Sequence, residues 1–159
     1  MGQFNNDRVD GIYTRTILDH YRNSPHKITI DNPDIEFDEY NPICGDRVFL
    51  QLKLSGLKIL KAGFSGEGCI ITQASASLMI DNLIGKTLGD AEATSLRVKV
   101  MLSSDNLSDI ETGLLGNLAT LRSVRQVPIR IKCALLAWSA LEQGIQRYSR
   151  GVPSSDILY

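Results

Sequence analysis

Apolar residues recur at helical spacing in two stretches of the chain, and a third stretch has a composition typical of a helix. Residues 10–22 predict an amphipathic first helix, which Ser24-Pro25 ends because the residue before a proline is disfavoured in a helix. Residues 70–84, rich in alanine, leucine and methionine, predict a second helix that Gly85 ends. Pro128 suits the first turn of a final helix. Five apolar residues then follow a helical period toward the core: Ile131, Leu135, Trp138, Leu141 and Ile145.

The middle of the chain alternates instead. Apolar residues occupy every second position from 48 to 54, which predicts a half-buried strand. Ser55-Gly56 turns the chain and residues 57–64 form a second strand, so the pair is predicted to be a hairpin. Residues 27–43 are polar, with prolines and an acidic run, and are interpreted as an extended loop that leads into the hairpin.

The stretch between the second and the final helix is also predicted to be helical. Thr87 with Asp90 three residues later resembles the start of a helix over residues 88–102. Residues 103–106 break this helix, and residues 107–124 are predicted to hold one or two short helices.

Composition favours one ordinary globular domain. The chain has 159 residues, of which 43% are hydrophobic and 22% are charged, and this is enough to bury a core. We expect a single domain over residues 1–159, with mobile tails at residues 1–9 and 149–159.

Charge and hydropathy argue against several classes of function. The formal net charge of −1 gives no electrostatic basis for binding nucleic acid or an anionic membrane surface. No apolar run approaches the length of a membrane span, and residues 1–7 lack the charged and apolar regions of a signal peptide. We therefore expect a cytoplasmic protein.

The three cysteines carry the candidate chemistry. An odd number does not suit a disulfide framework, so in a reducing compartment they are either inert core residues or working thiols. Asn41-Pro42-Ile43-Cys44-Gly45-Asp46 places a thiol and a carboxylate two residues apart on a glycine turn. Cys69 lies at the start of the second helix, where unpaired amides and the helix dipole favour a thiolate. Cys133, flanked by Arg130 and Lys132, is expected to favour a thiolate because of their charges.

These features predict a metal site. Four residues are expected to converge on one ion: Cys44, Asp46, Cys69 and Cys133. Three thiolates and one carboxylate suit tetrahedral zinc. The alternative is that the cysteines are three separate small core residues, which is the commonest fate of free cysteine. His20 and His26 are not close in sequence to the cysteines and are interpreted as surface or capping residues rather than ligands.

The motifs around these residues resemble a known family. They are Asn-Pro-Ile-Cys44-Gly-Asp46; Gly-Glu-Gly-Cys69 with Ala-Ser-Ala-Ser and Gly85-Lys86 after it; Val-Pro-Ile-Arg-Ile-Lys-Cys133; and Leu18-Asp19-His20-Tyr21 with Pro25. Together they resemble the iron–sulfur cluster assembly family of IscU and SufU (NifU N-terminal-like). IscU-type chains carry a histidine directly before the last cysteine, whereas this chain has Lys132. Residues 87–127 are also longer than the corresponding link of IscU-type chains, so both departures favour the SufU branch.

The resemblance implies a fold, a metal and a partner. It implies an α+β domain in which helices cover a small, mostly antiparallel sheet of about three strands. It implies a zinc ion held by the four residues named above, and a SufS-type cysteine desulfurase as the sulfur donor. Cys44 would accept sulfur as a persulfide once ligand exchange exposes it, Arg130 would support the freed thiolate, and further iron–sulfur assembly proteins would act downstream.

Three other functions are alternatives to sulfur transfer. The same ligand set suits iron or a [2Fe–2S] cluster, so the chain would then be a scaffold on which a cluster is assembled; Lys132 argues against this reading. A zinc-stabilised interaction module would use the metal only for folding. A hydrolytic zinc enzyme is disfavoured because four protein ligands leave no open position for water.

Overall fold

The structure is a computed structural model that describes residues 11–104 and 108–151. The tail predicted at residues 1–9 lies outside these residues, as does most of the tail predicted at 149–159. The described elements in chain order are α1 (Arg15–Arg22), β1 (Ile35–Tyr40), β2 (Arg47–Ser55), β3 (Lys58–Glu67), α2 (Ile70–Leu83), α3 (Leu88–Ser103), α4 (Asp109–Gly113), a 3-10 helix (Gly116–Gln126), a short 3-10 turn (Pro128–Arg130) and α5 (Ile131–Ser149). The predicted α+β class, with a small antiparallel sheet and covering helices, is confirmed.

The predicted helices are present, with two corrections near their starts. The predicted first helix is interrupted: Gly11 and Ile12 are helical, but α1 begins only at Arg15, because Thr14 is extended and its hydroxyl accepts a hydrogen bond from the Ile17 amide at 3.2 Å. Pro128 lies in a separate 3-10 turn directly before α5 rather than in the helix itself. The first correction arises from capping by Thr14, which the apolar period does not report.

The sheet contains a strand that the sequence pattern missed. Residues 27–43 were interpreted as a loop, yet β1 lies within them and pairs antiparallel with β2 along its length. Ile35 and Phe37 face α5, where Gly144 leaves them room, while Asp38 pairs with Arg47 of β2. β1 lies at the edge of the sheet, and an edge strand with several charged residues resembles a polar loop in sequence.

The second and third strands form the predicted hairpin in the order β1-β2-β3. β3 continues past the predicted end at residue 64 to Glu67, because Gly66 adopts a φ of +139° that keeps it paired with Val48. β2 is the central strand, and its inward residues Val48, Leu50 and Leu52 are buried in the core.

The helices close the core around α2. Trp138 of α5 is fully buried, and its indole Nε1 donates to Ser75 Oγ of α2 at 3.1 Å. Ser75 in turn donates to the Ala134 carbonyl at 2.6 Å, so this buried polar group is satisfied across the helix pair. These contacts fix the first turns of α5 against α2.

Strand register brings several chain segments to one edge of the sheet. Arg47 pairs with both Tyr40 and Glu67, so the β1–β2 loop and the exit of β3 lie side by side. Cys69 follows that exit by two residues and directly precedes α2. The predicted approach of the second cysteine to the first motif therefore follows from the hairpin topology.

Candidate metal centre

The Asn41–Asp46 segment is a closed loop between β1 and β2. The Asn41 amide donates to the Asp46 carbonyl at 2.8 Å, and the Gly45 amide donates to the Asn41 carbonyl at 2.8 Å. Gly45 has a φ of +79°, which a residue with a side chain rarely adopts. The loop consequently presents Cys44 to solvent and holds Asp46 at its buried base, 8% exposed.

The other two cysteines come from the starts of two helices. Cys69 is the N-cap residue of α2 and is half-buried, and its side chain makes no capping hydrogen bond. Cys133 lies in the first turn of α5 and is buried, 4% exposed. The sequence motifs alone did not require these helix starts to meet.

Three of the predicted donors lie close together. One ligand atom each from Cys44, Asp46 and Cys133 lies within 4.8 Å of the others, and among the described residues only this group has such an arrangement. Cys69 is not part of that group, but its thiol hydrogen-bonds Cys133. Tetrahedral ligands about 2.0–2.3 Å from zinc lie roughly 3.3–3.8 Å apart, so a separation within 4.8 Å is near the spacing that zinc requires.

Sequence analysis missed one polar residue of this cluster. Thr72, one turn into α2, is fully buried and donates its hydroxyl proton to Asp46 Oδ2 at 2.5 Å. The Thr72 hydroxyl oxygen, Oγ1, also lies 3.4 Å from the Cys69 sulfur. Its position three residues after a cysteine at a helix start was the available signal, because residues three apart share one helix face.

The expectation that Cys133 favours a thiolate is wrong for the metal-free chain. Burial raises the pKa of Cys133 to about 12, and Cys69 acts in the same direction. A hydrogen bond from Arg130 lowers the pKa of Cys133 but does not outweigh burial, and the same bond raises the pKa of Arg130. A coordinating metal ion deprotonates a thiol outright, so a bound cation removes this barrier.

The two histidines lie in a different cluster. His20 Nδ1 hydrogen-bonds Ser77 at 2.8 Å, and the Nε2 atoms of His20 and His26 contact the two carboxylate oxygens of Asp81 at 3.3 and 2.5 Å. The prediction that neither histidine belongs to the cysteine site agrees with these contacts. The interpretation of the two histidines as surface or capping residues does not agree with these contacts. Their network joins α1 and the following loop to α2.

Residues 12–153 match the family described as the NifU-like N terminal domain. The chain belongs to this family. The match covers every element described above and all four residues of the candidate metal centre. No helix in the described part of the chain combines the length and apolar character needed to cross a membrane.

Curated relatives within the NifU-like family have two different names. The chain is 39% identical over 146 residues to the zinc-dependent sulfurtransferase SufU of Bacillus subtilis, covering 92% of this chain and 97% of that protein. It is 30% identical over 139 residues to the iron–sulfur cluster assembly scaffold protein IscU of Thermotoga maritima, covering 87% and 96%.

Solved structures of NifU-like proteins share the fold. A protein from Fervidobacterium islandicum, described as a scaffold for iron–sulfur cluster assembly in the SUF system, aligns with a TM-score of 0.78 at 32% identity. That alignment covers 84% of this chain and 96% of the other. A NifU-like N-terminal protein of Brucella abortus aligns with a TM-score of 0.79 at 23% identity, covering 90% and 98%, which shows the fold alone.

Proposed function

We propose that this chain is a zinc-dependent sulfur acceptor, which takes persulfide sulfur from a SufS-type cysteine desulfurase for iron–sulfur cluster assembly. Zinc would be held by four residues: Cys44, Asp46, Cys69 and Cys133. The observation that carries the proposal is that one solvent-exposed thiol, Cys44, stands within 4.8 Å of buried donor atoms of Asp46 and Cys133. The relationship to the zinc-dependent sulfurtransferase SufU supports it.

The donor set suits zinc chemically. Thiolates and a carboxylate are both ligands that zinc accepts, and the site is shielded because Asp46 and Cys133 are buried. Bound zinc would supply a redox-inert cation that keeps its cysteine ligands deprotonated until one of them is exchanged.

The exposed position of Cys44 suits it to sulfur transfer. Its thiolate attacks the outer sulfur of a persulfide on the desulfurase. A new S–S bond to Cys44 forms as the S–S bond of the donor breaks, and the donor cysteine leaves as a thiolate. The exchange needs no oxidant or reductant, so the chain acts as a sulfur relay that activates its partner rather than as a stand-alone enzyme.

Arg130 is proposed to support this exchange. Its guanidinium hydrogen-bonds Cys133 and its charge acts on Cys69. A fixed cation at this place stabilises thiolates while the ligand shell is open.

Zinc loading tests the proposed function directly. We expect the zinc-loaded chain to stimulate turnover of a SufS-type cysteine desulfurase, measured as alanine release from cysteine. The zinc-stripped chain is expected to stimulate less, and reloading with Zn²⁺ should restore the effect. A folded, zinc-loaded chain that gives no stimulation would contradict sulfur transfer.

Replacing Asp46 with alanine is expected to reduce zinc affinity. The loss should exceed the roughly 10- to 100-fold that follows removal of a ligand's hydrogen-bond partner, because a ligand itself is removed. Bound zinc per chain and a competition titration with a chromogenic chelator measure it. Asp38→Ala is the matched control, because Asp38 is a carboxylate of the adjacent strand β1 and pairs with Arg47. Equal zinc affinity in Asp46→Ala and the control would remove Asp46 from the ligand set.

A cluster scaffold is the second candidate function. The relationship to the scaffold protein IscU of Thermotoga maritima favours it, and thiolates also ligate iron–sulfur clusters. Anaerobic reconstitution with iron and sulfide distinguishes the two. A coloured cluster that survives desalting, together with absent stimulation of the desulfurase, would favour the scaffold.

A further inference from the structure

Thr72 is placed to control how Asp46 binds a metal. The side chain is fully buried, and its hydroxyl donates to only one oxygen of the carboxylate, Oδ2, at 2.5 Å. A carboxylate has two oxygens, and each can bind a cation. A hydrogen bond to Oδ2 uses one lone pair of that oxygen and fixes its direction, which favours Oδ1 as the oxygen that binds a metal.

Close packing at Gly68 brings the two residues together. A Cβ atom at Gly68 would lie 3.0 Å from the Cβ and Cγ2 atoms of Thr72 and 3.2 Å from Cγ of Asp46. The absence of a side chain at Gly68 therefore allows the Asp46 carboxylate to approach the Thr72 hydroxyl.

The Thr72 hydroxyl has one proton, so it can donate a hydrogen bond to only one acceptor at a time. This proton is donated to Asp46, and the Cys69 sulfur lies 3.4 Å from the Thr72 hydroxyl oxygen, Oγ1. A Cys69 thiol can donate a hydrogen bond to Thr72 Oγ1, but a metal-bound thiolate has no proton to donate. The hydroxyl then has two charged acceptors, of which the carboxylate is the nearer.

We propose that Thr72 is a positioning residue that holds Asp46 as a single-oxygen ligand of the metal ion. The inference rests on the zinc site proposed above and goes beyond it by naming the residue that sets the geometry of its oxygen ligand. With Oδ2 held, Asp46 occupies one position of a four-coordinate shell. Without the hydrogen bond, the carboxylate is free to bind through both oxygens or to turn away from the ion.

Thr72→Val tests this inference, because valine keeps the shape and removes the hydroxyl. Competition titration with Zn²⁺ is expected to give an affinity about 10- to 100-fold weaker than that of the native chain. The visible absorption of the Co²⁺-loaded chain, which depends on coordination number, is expected to lose intensity as the ion leaves four-coordinate geometry. Thr72→Ser keeps the hydroxyl and should restore both readouts.

Two further variants make the test decisive. Thr94→Val is the matched control, because the Thr94 hydroxyl bonds only the Asp90 carbonyl of its own helix, and both readouts should be native. Gly68→Ala adds a Cβ against both partners without removing a polar group. Gly68→Ala should also weaken Zn²⁺ binding. It replaces Thr72→Val as the test variant if circular dichroism shows that Thr72→Val does not fold.

The outcomes separate this inference from the proposed function. A native chain that takes up neither Zn²⁺ nor Co²⁺ overturns the zinc site and, with it, the role of Thr72. A native chain that binds both ions, beside a folded Thr72→Val chain with the same affinity and spectrum, overturns only the role of Thr72. Thr72→Ser that behaves like Thr72→Val overturns it as well, because the hydroxyl is then not the group that matters.

Discussion

Replacing Cys44 with alanine is expected to abolish stimulation of a SufS-type cysteine desulfurase. Cys44 is solvent-exposed at the tip of the β1–β2 loop, whereas Cys69 is half-buried and Cys133 is buried. A partner enzyme must bring a persulfide into contact with the attacking sulfur, so only an exposed thiol can accept it without unfolding of the site. The fold should survive, because the side chain contributes little to the core.

Desulfurase turnover and mass spectrometry measure this result together. After incubation with the desulfurase and cysteine, the native chain should carry the mass of one additional sulfur atom on the peptide that contains Cys44. The zinc content of the Cys44→Ala chain must be measured in parallel, because the variant also loses a proposed ligand. Additional sulfur on the Cys69 or Cys133 peptide of the native chain, with none on the Cys44 peptide, would contradict the assignment of the acceptor.

Much of the fold follows from apolar spacing. The helices at residues 70–83 and 88–103 and the hairpin of β2 and β3 agree with the sequence. Residues 70–83 are rich in alanine, leucine and methionine, and the buried apolar residues of α3 and β2 lie on one side of each element. β1 could not be identified in this way. It is an edge strand with three acidic residues, which contact Gln51, Arg47 and Ser139. Its pairing depends on β2, and a local sequence pattern does not report this pairing.

The residues of the candidate site were predictable from motifs, but their environment was not. Burial of Cys133 is created by the packing of α5 on α2, and this burial outweighs the flanking charges that the sequence displays. Thr72 was missed for a related reason. A threonine near a helix start is common, and its partner, Asp46, is brought to it by strand pairing rather than by sequence proximity.

The histidine cluster shows the same limit. His20 and His26 lie in separate local structures, and Asp81 is distant from both in sequence. Only the packing of α1 on α2 brings them together. Their distance in sequence from the cysteines argued against a shared site, but it could not reveal the carboxylate that they share.

Gly66→Ala is expected to destabilise the chain more strongly than Gly56→Ala. Gly66 has a φ of +139°, and a Cβ atom built there lies 2.0 Å from the carbonyl oxygen of Arg47 and 3.2 Å from Cα of Val48. Both contacts are with the backbone of the paired strand, so no side-chain rotation relieves them. We expect the free energy of unfolding to fall by more than about 3 kcal/mol, combining strain with overpacking.

The location of Gly66 makes this a test of the site as well as of the fold. Separation of β3 from β2 at Arg47 displaces Asp46 on one side and Cys69 on the other, so zinc affinity should fall with stability. Gly56→Ala is the matched control, because Gly56 has a φ of +62° with no atom within 4 Å of the added Cβ. It should lose only about 1–2 kcal/mol from the left-handed backbone. Urea unfolding at equal zinc loading measures the free energy of unfolding of both variants. Equal losses in the two variants would contradict the prediction, because the strand pair would then tolerate a shift that relieves the contact with the Arg47 backbone.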